Sequence, residues 1–336
     1  HFEDQVKYNL NLDYDPRNII GDDYKNSGEK LYGNNDCNGP GSLHGTHVAG
    51  IIAANRTNNI GVKGVADNVR IMAVRAVPDG DERDKDIANA IIYAVDNGAK
   101  VINMSFGKAY SYDKAAVDKA VKYAESKDVL MIHAAGNDGI DIDVKVHYPC
   151  RKYAEGGEAK NWLDVGALSW KKNEKMPASF SNYGKKTVNV FAPGVDIYST
   201  KTGGGYLNES GTSMASPVTA GVAAVIRSYY PNLTAKQVKK IIEKSVVTDF
   251  KKTMVDKPGG KEITYTVKKG DSIKSIAEKN NLSEQELTDQ NPELKDGIKE
   301  GQELGLKEKV KFSALSSTGG FVNLYKAVQL AEKMSK

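Results

Sequence analysis

The chain has 336 residues, 40% of them apolar and 27% charged, with a formal net charge of +4. That length buries the core of one large α/β domain or of two ordinary ones. The lysines are dispersed rather than blocked, so charge gives no support to a nucleic-acid or membrane-surface partner, and no apolar run reaches the roughly 18 residues of a membrane span.

The sequence opens HFEDQVKYNLNLDYDP, without an initiator Met or an apolar leader, and reads as an internal start. Residues 1–43 are rich in Asn, Asp, Gly and Pro with no sustained period, which predicts a long loop region. From residue 44 onward, helix patterns over about 44–55, 85–97, 112–127, 213–230 and 235–245 alternate with short apolar runs. These are VRIMAVRAV (69–77), KVINMSF (100–106), VLMIHAA (129–135), WLDVGAL (162–168) and VNVFAP (188–193). Runs apolar at nearly every residue suit strands buried on both faces, and their alternation with helices predicts an open parallel α/β sheet. Ligands in such sheets bind beyond the carboxyl ends of the strands. After DKPGGKE (256–262) the texture changes. Residues 263–307 carry their own short strand, two short helices and a closing apolar stretch, and 308–336 resume with a glycine turn and one amphipathic helix. The expected organisation is a main domain over 1–262, an inserted module over 263–307, and a closing helix segment of the main domain over 308–336. Cys37 and Cys150 lack the spacing of a zinc or redox motif and read as free thiols, a disulfide being the alternative if the protein is exported.

Two stretches carry chemistry. GPGSLHGTHVAGIIAA (39–54) sets His44 and His47 three residues apart at a helix start. A metal pair on one helix is usually spaced by four and comes with a Glu or a third ligand, so one histidine reads as a base and the other as packed a turn later. In NESGTSMASPVTAGVAAVIRSYY (208–230), Val218, Val222, Val225 and Tyr229 share one helix face. Pro217 is tolerable only in a first turn, so that helix starts near Ser213 or Met214. A serine there offers its hydroxyl where free N–H groups favour developing negative charge. Taken alone, the stretch is equally open to Ser210, Thr212 or Ser213 as a plain helix cap. His133 ends a buried strand pattern, and His147 falls in a polar loop.

HGTHVAG (44–50) and GTSMASP (211–217), in this order, resemble the subtilisin-like serine proteases, the subtilases. INMSFG (102–107) and HAAGN (133–137) are similar to that family's substrate-strand and oxyanion motifs, and TGGFVN (318–323) looks like one bacterial branch of it. The resemblance implies a parallel sheet covered by helices on both faces, with Ser213 as nucleophile, His44 as general base and His47 as structural. It further implies that Asn137 donates to the oxyanion together with the Ser213 backbone N–H. Ser105, Phe106 and Gly107 would pair with substrate as an added strand, and Ala134, Ala135 and Gly136 would line the pocket for the side chain before the scissile bond. These residue types suit the chemistry. A serine hydroxyl is a poor nucleophile until an imidazole takes its proton, and one preorganised oxyanion donor is worth roughly 3–4 kcal/mol.

The family's third catalytic group is an Asp at the end of an early strand, in a pattern like V-x-D-(S/T)-G. Nothing in residues 1–43 matches it. Asp4, Asp13, Asp15, Asp22, Asp23 and Asp36 sit among turn formers and read as solvated loop carboxylates. Asp22–Asp36 is a candidate structural calcium loop, and no other cofactor is expected. The orienting Asp is therefore expected upstream of His1, its strand with it, and the chain alone is expected to be weak or inactive. ITYTVKKGDSIKSIAEKNNLSEQELTDQNPELKDGIKEGQELGL (263–306) resembles a LysM domain, with Ser272 capping one helix and Asn291–Pro292 ending the next. That resemblance implies binding to N-acetylglucosamine polymers such as peptidoglycan or chitin, weak for a single copy; an adapter that binds no glycan is the alternative. The expected protein is a secreted or envelope-located serine endopeptidase acting on proteins or peptides. The rival reading is a catalytically inactive relative that serves as a glycan-binding or interaction protein.

Overall fold

Four of the five apolar runs form strands: β1 (Val101–Met104), β2 (Leu130–Ala134), β3 (Trp162–Leu168) and β4 (Val188–Pro193), joined in that order into one parallel sheet. The computed structural model describes residues 3, 6–7, 10–11, 13–14, 16–39, 41–78, 82–260, 262–280 and 282–336. His1, Asp4 and Asp15 lie outside the described residues. Helices α2 (Asp84–Asp96), α3 (Lys114–Ser126), α4 (Thr212–Tyr229), α5 (Ala235–Lys244) and, further on, α8 (Leu324–Ser335) cover the sheet, and α1 (Leu43–Ala53) packs against α4.

Strand alternation sorts the core onto two faces. Leu130 and Ile132 join Leu163, Val165 and Val190 under α4, α5 and α8, where Ala220, Ile226, Ile241 and Ala327 complete one apolar layer. Met131, Met104 and Trp162 face the other way, onto Ile87 and Ile91 of α2 and Val117 and Val121 of α3. Helix α4 lies against all four strands. Residues 197–200 and 206–209 add a hairpin that the sequence pattern does not reveal, β5 (Ile197–Thr200) and β6 (Tyr206–Glu209), turning through KTGGG.

The run at 69–77 departs from expectation: it belongs to no strand. A strand exists only through its ladder, and among the described residues β1 pairs with β2 alone and ends the sheet. Between 69–77 and β1 lies a groove of about 1760 Å³, walled by both segments, by α1 and by the far side of α4. Ile71, Met72, Val74 and Val77 are exposed along it, and Val101, Ile102 and Asn103 of β1 are only half-buried. No helix among the described residues is long and apolar enough to cross a membrane.

Residues 16–36 remain loop-rich apart from the helical turn Arg17–Ile20, but Asp22 is not solvated. Its side chain is fully buried, ion-paired with Lys85 at the start of α2 and with Arg17, which also pairs with Asp86. Burial works against ionisation of Asp22, yet Lys85 and Arg17 hold its carboxyl below the usual range. Both oxygens of this carboxylate are engaged, Oδ1 by Lys85 and Oδ2 by Arg17. Among the described residues no three His, Cys, Asp or Glu side chains converge as a metal site would require. Cys37 and Cys150 are free thiols.

A two-stranded stem of β7 (Met254–Asp256) and β10 (Lys309–Lys311) carries the segment at 263–307. There β8 (Glu262–Thr266) pairs antiparallel with β9 (Glu303–Lys307) beside α6 (Ile273–Lys279) and α7 (Glu284–Gln290). Capping boxes at Ser272 and Ser283 start the two helices. Val267, Ile276, Leu287, Leu294, Leu304 and Leu306 form a core of their own.

Candidate active site

The site grows from the start of α4. Proline has no N–H, so Pro217 leaves the Ser213 carbonyl, four residues back, without its helical donor. The Ser105 hydroxyl fills that gap, donating to Ser213 O at 2.8 Å. Ser105 is itself held by the Asn103 amide at 2.9 Å, and Asn103 accepts from the Ser216 hydroxyl at 2.8 Å. Edge strand β1 and the first turn of α4 are thereby stitched together. Helix α4 begins at Thr212, a residue or two before the start Pro217 suggested. Ser213 is half-buried, and its Oγ donates to the Ser105 carbonyl at 3.2 Å.

Asn137 follows the carboxyl end of β2. The Thr212 N–H and hydroxyl both reach its Oδ1, each at 2.9 Å. A backbone N–H can only donate, so the oxygen is assigned and the amide nitrogen is the group left to face the groove. The same Thr212 hydroxyl accepts from Gly136 N at 3.1 Å. This threonine, which the sequence marks only as one of three candidate caps, orients the amide from 75 residues away.

The two histidines of the opening motif separate as α1 turns. His47 is fully buried; its Nε2 donates to Leu207 O at 3.2 Å, and its own carbonyl accepts from the Ser199 hydroxyl at 2.7 Å. It clamps α1 to the β5–β6 hairpin. His44 lies open at the mouth of the groove. Crowding by the groove walls lowers its pKa below the ordinary histidine value, opposed by the charge of Glu209 and helped by His47. No carboxylate is hydrogen-bonded to His44 among the described residues.

His44, Ser213, Asn137, Ser105, Phe106, Gly107, Ala134 and Gly136 all line this one groove. Ala135 is buried just behind, in the core with Leu168 and Phe191. Two further residues adjoin the site: His133, at the end of the buried strand pattern, and His147, whose loop carries no pattern. His133 is buried with Nδ1 on Asp164 at 2.9 Å and Nε2 on the Phe106 carbonyl at 3.0 Å. His147, from an unpatterned loop, is half-buried and lines the groove beside Gly107.

The Subtilase family model matches residues 9–283, and a LysM domain model matches residues 265–307. The thermophilic serine proteinase of Bacillus sp. (strain AK1) is 46% identical over 186 residues, 55% of this chain and 42% of that protein. Subtilisin DY of Bacillus licheniformis is 41% identical over 215 residues, 63% of this chain and 71% of that protein. The chain thus spans well under half the length of one curated relative and about seven-tenths of the other. Among solved structures, the crystal structure of a cold adapted subtilisin-like serine proteinase superposes with a TM-score of 0.53 at 32% identity, covering 65% of this chain and 71% of that one. With the family model running through most of its length and a neighbour of the same sheet architecture, this chain belongs to the subtilase family and carries a LysM domain.

Proposed function

We propose that the chain supplies the nucleophile, base and oxyanion donor of a serine endopeptidase. Ser213 attacks the peptide carbonyl, and His44 takes its proton and returns it to the leaving amine. Asn137 and the Ser213 N–H hold the developing oxyanion. The observation that carries this reading is the orientation of Asn137. Thr212 pins its oxygen, and the amide nitrogen faces the groove beside the helix start that bears Ser213. Substrate protein or peptide pairs along Ser105–Gly107 as an added strand, with its side chain before the scissile bond directed between that edge and Ala134–Gly136. The orienting carboxylate comes from an extended segment that adds to the free edge of β1. Support lies in the unpaired side of β1, the exposed apolar run at 69–77 and the groove between them, at whose mouth His44 sits. Segment 263–307 binds N-acetylglucosamine-type glycan and holds the peptidase at the cell wall of a secreted or envelope-located protein.

The test uses the full-length protein and its Ser213→Ala variant. A fluorophosphonate probe should label the parent once per chain and the variant not at all, with peptide hydrolysis lost in parallel and the thermal midpoint unchanged. Hydrolysis that survives Ser213→Ala ends the reading, and equal retention on insoluble peptidoglycan with and without 263–307 ends its glycan half.

A further inference from the structure

The side-chain pocket of the proposed peptidase has an occupant of its own. Its two walls are backbone: Gly107 on the substrate-pairing edge and Gly136 after β2. A Cβ built on Gly107 would lie 2.1 Å from His147 Cε1 and 2.7 Å from Nε2, and one on Gly136 would lie 2.9 Å from His147 Nε2. Real Cβ atoms essentially never approach other atoms so closely, so a side chain at either position would require the imidazole to move, and at Gly107 the three nearest atoms all belong to that ring. At Gly136, whose φ is +101°, the Asn182 amide also crowds the position at 2.3 Å. The ring therefore sits in contact with both backbones and fills the slot that two side-chain-free walls would otherwise leave for a guest.

The imidazole is not loosely placed. Tyr148, the next residue, makes a double backbone bridge with Lys108, N to O at 2.8 Å in each direction, and this anchors His147 beside Gly107. Behind it the His133 ring lies 5.6 Å away between centroids. His133 cannot retreat, because Asp164 and the Phe106 carbonyl engage both of its nitrogens. Burial, with His133 alongside, pushes the His147 imidazole down to about 4 against the pull of Asp138 and Asp164. At neutral pH the ring is uncharged and offers no ion pair to an acidic side chain.

We infer that His147 is a specificity-determining residue: it closes the pocket between Gly107 and Gly136 and restricts the residue before the scissile bond to small side chains such as Ala or Ser. The inference rests on the peptidase reading. It concerns only which peptides are cleaved. A slot filled this way denies a flat aromatic or a branched aliphatic chain the contacts it would need, and a pocket difference of a single methylene is worth roughly 10- to 200-fold in selectivity.

The experiment compares succinyl-Ala-Ala-Pro-Ala and succinyl-Ala-Ala-Pro-Phe p-nitroanilides with the full-length protein and its His147→Gly and His147→Ser variants, each titrated with a fluorophosphonate. The parent should favour the Ala substrate in kcat/KM, and His147→Gly should raise the Phe-to-Ala ratio at least tenfold, with His147→Ser between them. A parent that prefers Phe overturns the inference even if no variant folds. So does a ratio that stays within twofold in a variant that labels normally. Absence of both labelling and turnover in the parent would instead remove the peptidase reading, and this inference with it.

Discussion

At Ser213 and Asn137, side-chain placement depends on hydrogen bonds made by neighbours that look unremarkable in sequence. Thr212 decides which way Asn137 points, and in the proposed mechanism an amide turned the other way would present its oxygen to the oxyanion and repel its charge. His44 and His47, three residues apart, differ in the same way: one is open to the groove and the other is sealed against Leu207. Their variants should separate accordingly in a urea titration. His47→Ala removes a fully buried ring and should cost about 2 kcal/mol or more, whereas His44→Ala, at an exposed position, should stay within about 0.5 kcal/mol. The opposite order would exchange the roles of the two residues. His147 adds a third histidine with a different task, set by two glycines that leave it room.

At the scale of elements, the junction of β1 and α4 explains why a proline can sit inside the helix bearing the proposed nucleophile. The carbonyl that Pro217 orphans is met by Ser105, and Ser105 belongs to the segment along which substrate is proposed to pair. This coupling is measurable. Ser105→Ala leaves a poorly hydrated carbonyl without a partner and should cost about 1–3 kcal/mol. In a Pro217→Ala background, residue 217 regains an N–H that can serve the Ser213 carbonyl, and the same Ser105→Ala change should cost at least about 0.5 kcal/mol less. Equal costs in the two backgrounds, read from denaturant midpoints, would mean that the serine and the proline act independently. The capping boxes of α6 and α7 are the corresponding local devices of the LysM domain, each satisfying first-turn donors within a four-residue reach.

For the whole molecule, the sheet ends at β1 among the described residues, while an apolar run at 69–77 lies exposed across the groove. An unpaired edge facing apolar surface is a template for another chain. The 336-residue chain on its own is therefore expected to self-associate at micromolar concentration. Replacing Ile71 and Val74 together with Lys should return it toward monomer in light scattering coupled to gel filtration. If parent and double variant show the same mass at all concentrations, this surface is not where copies meet. The loop-rich residues 16–36 also expose apolar side chains, Ile19, Ile20 and Leu31 among them, but Asp22, Lys85, Arg17 and Asp86 tie the segment to the start of α2.

What the sequence by itself determined is what short range encodes. Helix periods placed the five predicted helices to within about two residues, and the apolar runs placed β1 through β4. The motifs at 44–50, 133–137 and 211–217 marked His44, Asn137 and Ser213, and the cap at Ser272 and the stop at Asn291–Pro292 marked where one LysM helix starts and the other ends. Only the tertiary structure decided the rest. Whether 69–77 is a strand depends on a ladder partner and not on its own residues. Asp22 looks like any turn carboxylate until Lys85, 63 residues on, arrives to ion-pair with it. His133 meets Asp164 across 31 residues, and His147 meets Gly107 and Gly136 from a loop with no pattern. Periodicity reports how each residue stands to its own helix or strand; charge pairs, ladders and the filling of a slot between glycines are settled by whichever distant segment packs there.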